Sequence, residues 1–155
     1  MFGRAKGLKV TANSDFVFAN KIATLRRSVA RAREEYAARD HFATDFTHQD
    51  AAILNVERAC QAAITVSSRL AAHFDLNTVN TMRDGFRALA VAGLIPDELG
   101  KALESMVGFR NIAVHAYQDL NLEIVIQIIT QSSTDLLRFA DIAEAIVANP
   151  PPTQT

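Results

Sequence analysis

The chain has 155 residues, 49% of them hydrophobic, with six Gly, four Pro, one Cys, no Trp and a formal net charge of −1. That length suits one domain burying its own core, and the scarcity of Gly and Pro argues against a β-sandwich or a disordered chain. The single cysteine, Cys60, excludes an internal disulfide and suits a reducing compartment, while the balanced charge gives no bulk attraction to nucleic acid. The opening "MFGRAKGLKV" reads as no signal peptide, and no stretch approaches the roughly 18 to 20 apolar residues of a membrane span. A soluble, cytoplasmic protein without a membrane partner is expected.

Charge is unevenly spread. Residues 1–39 carry nine Lys/Arg against three Asp/Glu, and the rest of the chain seven against fourteen. The run "LRRSVARAR" is either a footprint for phosphates or a solvated helix face. Residues 1–14 read as a flexible basic tail. With Ser14 or Asp15 as cap, Phe18, Ile22, Leu25, Val29, Ala32 and Tyr36 recur at spacings of four and three, predicting a first helix to about Arg39. Thr47 is the expected cap of a second helix reaching about Phe74, whose stripe is Ile53, Val56, Cys60, Ala63, Ser67, Leu70 and Phe74.

A shorter helix is expected from about Thr78 to Ala92, stopped by Gly93. Pro96 restarts the chain, with Asp97 and Glu98 near the positive end of a fourth helix that runs to about Gln118. A fifth helix begins near Leu120 and ends before "NPPPTQT"; its segment "LEIVIQIIT" is rich in β-branched residues but has no partner strand, so helix is preferred. The expected fold class is all-α, an antiparallel bundle of about five helices. One domain spans 15–148, followed by a disordered tail over 149–155.

The fourth helix holds "GFRNIAVHAY", residues 108–117, with four hydrogen-bonding side chains in eight positions. At 100° per residue, with Arg110 at 0°, Met106, Phe109, Ile112, Ala113 and Ala116 fall at about 200° to 320°, an ordinary core face. Leu103, Val107 and Val114 fall at about 20° to 60°, interleaved with Arg110 and Tyr117, while Asn111 and His115 lie near 100° and 140°. Two apolar faces predict packing against a symmetric copy, with Val107 and Val114 near the two-fold axis.

Arg110, four intervening residues, His115, any residue, then Tyr117 resembles the Arg-x4-His-x-Tyr signature of HEPN domains. It is most similar to the HEPN toxins encoded beside minimal nucleotidyltransferase antitoxins, the HepT/MntA type. "DAAILNVERACQAAI" (50–64) and "FRALAVAGLIPDELGKALESMVGFRNIAVHAY" (86–117) carry the same likeness, which covers about two thirds of the chain. The resemblance implies a homodimeric, metal-independent endoribonuclease acting on RNA, with the two motifs lining a shared groove. His115 is then the general acid/base and Arg110 the phosphate ligand, with Asn111 in support. It also implies a cognate minimal nucleotidyltransferase antitoxin that adds AMP to Tyr117, unless that tyrosine only packs at the dimer seam. Glu57 matches the family's flank and is a loose candidate to pair with a motif residue. No cofactor or metal is called for, since His41, His48 and His73 are scattered without ligand spacing. The competing reading is a non-catalytic helical dimer that serves as the binding subunit of a nucleotidyltransferase.

Overall fold

The structure is a computed structural model describing residues 12–37, 41–76, 83–116 and 119–152, with the backbone alone at 12–14 and 115. It is all-α, as expected, and the described residues contain no strand. Two long helices form the frame, α1 (Ala12–Ala37) and α2 (Phe46–His73), joined through a 3-10 turn at Phe42–Thr44. At 1.5 Å per residue each is roughly 40 Å long. The stripe on α1 is buried at Phe18, Ile22, Leu25, Val29 and Ala32 and half-buried at Tyr36. The stripe on α2 is buried from Ile53 through Leu70, Cys60 included. Each helix therefore uses its predicted face against the other.

The caps differ from expectation. Helix α1 is already formed at Ala12, so Ser14 and Asp15 lie inside it rather than at its cap. Helix α2 is capped by Asp45, not Thr47: the Asp45 carboxylate accepts from the His48 backbone N–H at 3.1 Å. The 3-10 turn brings the chain into the helix two residues earlier than the sequence suggests.

Helices α3 (Asp84–Val91) and α4 (Asp97–His115) form a second hairpin against α2. The expected start of α3 near Thr78 lies outside the described residues. Gly93 makes the turn with φ +75°, a left-handed conformation that costs glycine nothing. Pro96 is the extended N-cap of α4 rather than part of its first turn, and Asp97 and Glu98 sit at the helix's positive end. Helix α5 (Leu122–Gln127), capped by the Asn121 side chain, runs through a π turn (Ile128–Ser132) into α6 (Ser133–Ala148). The β-branched segment is thus helical. Helix α6 returns along α1, where Arg26 bridges to Asp141 and Glu144 and Arg33 donates to Ser133 Oγ. Beyond it Pro150 lines a small pocket with Phe18, Leu70 and Ile146.

Close approach of α3 to α2 depends on a missing side chain. A Cβ at Gly85 would stand 2.6 Å from Ser67 Oγ, which is buried and donates to the Ile64 carbonyl. Neither group has room to yield. Gly85→Ala is expected to destabilise the fold by about 1–3 kcal/mol, as overpacking does. Thermal unfolding followed by circular dichroism checks this, and an unchanged midpoint would contradict the packing described.

The largest revision concerns α4. Leu103 and Val107, assigned above to a face awaiting a second copy, are 1% and 2% exposed within the chain's own core. Ile112, assigned to the core, is 43% exposed. The buried set Leu99, Leu103, Met106, Val107 and Phe109 forms one arc of about 160°. Helix α4 packs against α2, α3 and α6 at once, and three neighbours require a wide apolar face.

Candidate active site

Arg110 lies at the middle of that arc, on the line of Leu99, Leu103 and Val107, one turn beyond the last fully buried residues. Its side chain is half-buried and its Nε atom is enclosed. A guanidinium placed there snorkels: the stem continues the core stripe while the charged end emerges at the end of the bundle. Nη1 reaches Asn111 Oδ1 at 3.4 Å, so the exposed amide beside it helps to hold the fork.

Beneath lies α2. Burial pushes the Cys60 thiol up to about 12; Glu57 adds to the rise and Arg110 opposes it. Both charges are therefore felt at the same buried sulfur. Cys60 is inert core, the role its stripe position predicts. Glu57 is half-buried on α2, one turn before Cys60.

His115 is the last residue of α4. It stands five residues, about 7.5 Å of helix rise, beyond Arg110. At Ala116 the backbone leaves the helix with φ −144° and ψ 51°, its N–H donating to the Ile112 carbonyl at 2.8 Å. The helix does not continue to Gln118 as expected. Tyr117 lies outside the described residues.

The cavity beside the motif is a separate feature. A groove of about 500 Å³ lies between α4 and α5, lined by Met106, Phe109, Ile112, Ile124 and Ile128 and rimmed by Asp119 and Asp135. It is apolar along its floor, with Gly108 on its α4 wall and the two carboxylates at its rim. The basic run on α1 is largely spent: Arg26 pairs with Asp141 and Glu144, Arg31 with Glu34 and Glu35, and Arg33 holds Ser133. Among the described residues no three His, Cys, Asp or Glu side chains converge to hold a metal ion, and no helix is long and apolar enough to cross a membrane.

The sequence pattern described as Ribonuclease HepT-like matches residues 22–143. The chain belongs to the HepT-like ribonuclease family. The mRNA nuclease HepT of Shewanella oneidensis is 40% identical over 129 residues, 83% of this chain and 97% of its own. Among solved structures, a tri-AMPylated Shewanella oneidensis HEPN toxin in complex with MNT antitoxin is 40% identical with a TM-score of 0.79, over 83% of this chain and 97% of that one. A toxin–antitoxin complex with AMP-PNP matches with the same TM-score at 39% identity, over 83% and 98% of the two chains. The HepT-like chain thus shares both the helical architecture and nearly the full length of these relatives, and Arg110, Asn111, His115 and Tyr117 all lie in or beside the matched segment.

Proposed function

We propose that the protein is a metal-independent endoribonuclease toxin, working as a homodimer on RNA and restrained by a nucleotidyltransferase antitoxin that transfers AMP to Tyr117. The observation that carries this reading is the match to nearly the whole of a named mRNA nuclease by a chain holding Arg110 and His115 five residues apart.

The chemistry suits the residues. An RNA 2′-hydroxyl attacks its own phosphorus, the 5′-oxygen leaves, and the products are a 2′,3′-cyclic phosphate and a free 5′-hydroxyl. His115 takes the proton from the nucleophile or returns one to the leaving oxygen. Arg110 holds the phosphate through two parallel hydrogen bonds and offsets charge as it develops. Its position favours this, since a fork whose stem is packed in the core has lost its rotamer freedom before substrate arrives. Asn111 steadies the fork. The reaction draws its nucleophile from the RNA itself. Purified protein is expected to fragment single-stranded RNA with chelator present, and RNA left intact would overturn the reading.

Dimerisation is the second part of the proposal. With Val107 buried, the seam passes to Val114, 44% exposed and about 40° from Arg110 on the helix. Two copies meeting there bring two Arg110 guanidinium groups to one groove. Light scattering at micromolar concentration is expected to give about twice the 16.9 kDa chain mass, falling towards one chain in Val114→Glu. The mass of a single chain for the wild type would contradict the shared groove.

A further inference from the structure

The seam between α3 and α4 carries two arginines in one antiparallel register, residue 87 opposite 104 and residue 83 opposite 108. At the first rung Arg87 makes a fork with Glu104, Nε to Oε1 at 2.8 Å and Nη2 to Oε2 at 3.1 Å. At the second rung α4 offers Gly108, which has no carboxylate to answer a cation. A Cβ built on Gly108 would stand 3.4 Å from Arg83 Nη2, so one end of the guanidinium reaches the helix where a side chain is lacking. Arg83 is exposed, and as N-cap of α3 its side chain makes no capping bond.

That placement puts a second cation beside the motif. On α4, Glu104, Gly108, Asn111 and His115 fall within one stripe about 60° wide. Gly108 is one turn before Asn111, the residue whose amide oxygen receives Arg110. The stripe therefore runs from a neutralised pair at Arg87 and Glu104, through the Arg83 guanidinium, to the motif at the end of the helix. A strand laid along it meets the Arg83 guanidinium near Gly108 and, one turn on, the Asn111 amide that receives Arg110. Arg and phosphate make such contacts through fork geometry, and single-stranded RNA is bound mainly through phosphates of this kind.

We propose that Arg83 is a phosphate-binding residue of the RNA groove, holding a phosphate neighbouring the one taken by Arg110. The proposal rests on the ribonuclease reading of the motif.

The test uses the full chain and a 2′-O-methyl RNA of about 12 nucleotides, within the span of single-strand sites. Such RNA lacks the attacking hydroxyl, so fluorescence anisotropy reads binding apart from turnover. Arg83→Ala is expected to weaken binding by roughly five- to tenfold, the size of one exposed charged contact. The slope of log affinity against log salt should fall by about 0.7, one single-strand phosphate contact. Arg83→Lys should recover the slope. Affinity and slope both unchanged in Arg83→Ala would overturn the proposal, as would a lysine variant that binds like the alanine variant and melts earlier, which is the signature of packing. Cleavage of unmodified RNA by the wild type is scored separately. Binding that depends on Arg83 without cleavage leaves Arg83 standing and sinks the nuclease reading, and cleavage with binding indifferent to Arg83 does the reverse. A wild type that binds no RNA overturns both.

Discussion

His115→Ala is expected to lower RNA cleavage by about 10²- to 10⁴-fold, the usual contribution of a positioned general acid or base, with the helical circular dichroism spectrum retained. The spectrum should hold because residue 115 ends α4 and the next residue already leaves the helix. Arg110→Ala is expected to lose a comparable factor for a different reason. There the lost terms are the phosphate fork and the charge that opposes the transition state. A stability cost comes with it, because the Arg110 stem continues the core stripe of α4 and its Nε is enclosed. Arg110→Lys separates the two effects: it keeps stem and charge but not the bidentate geometry, and should recover stability more fully than rate. Initial rates alongside thermal unfolding decide the matter. Undiminished cleavage by the His115 variant would place the activity elsewhere.

Modification of Tyr117 is expected to be equally decisive. Coexpression with a cognate nucleotidyltransferase, or incubation with it plus ATP and Mg²⁺, should add AMP increments to the intact mass and abolish cleavage. In that transfer the tyrosine oxygen bonds to the α-phosphorus of ATP and pyrophosphate leaves. Helix α4 ends at His115, and two residues of extended chain reach at most roughly 7 Å from there. An AMP group on a side chain so tethered brings bulk and a negative charge into the groove, where it competes for the guanidinium that substrate needs. Tyr117→Phe should fold, escape modification and stay toxic beside the antitoxin. Equal increments on the Phe variant, or none on the wild type, would make Tyr117 a packing residue.

The frame of the fold was legible because α1 and α2 are long, and their stripes repeat often enough to fix one face each. Helix α4 was misread for a reason the same arithmetic contains. A helix packed on one neighbour buries a narrow stripe, and by that measure the two apolar arcs of α4 count as two faces. With α2, α3 and α6 around it they are one, and Leu103 and Val107 belong to the chain's own core. The end of the helix left no trace either, since "AVHAYQDL" has no Gly or Pro to announce it, yet Ala116 turns out of the helix. Asp45 took the cap expected of Thr47 because a 3-10 turn precedes α2, and the π turn between α5 and α6 adds a residue that a 3.6-residue period cannot show. For the candidate site, the resemblance to HEPN domains pointed to Arg110 and His115. Arg83 was invisible, because its nearness to the motif depends on the register between two helices rather than on distance along the chain.

The central claim is that the motif cuts RNA through the substrate's own 2′-hydroxyl, and the ends of the fragments test it most directly. Mass spectrometry of an oligoribonucleotide digested with chelator present, by wild type and His115→Ala prepared identically, reads both the chemistry and its owner. The account predicts 2′,3′-cyclic phosphate and 5′-hydroxyl ends from the wild type and intact RNA from the variant over the same time. Fragments ending in 3′-hydroxyl and 5′-phosphate, or equal digestion by the two proteins, would contradict it.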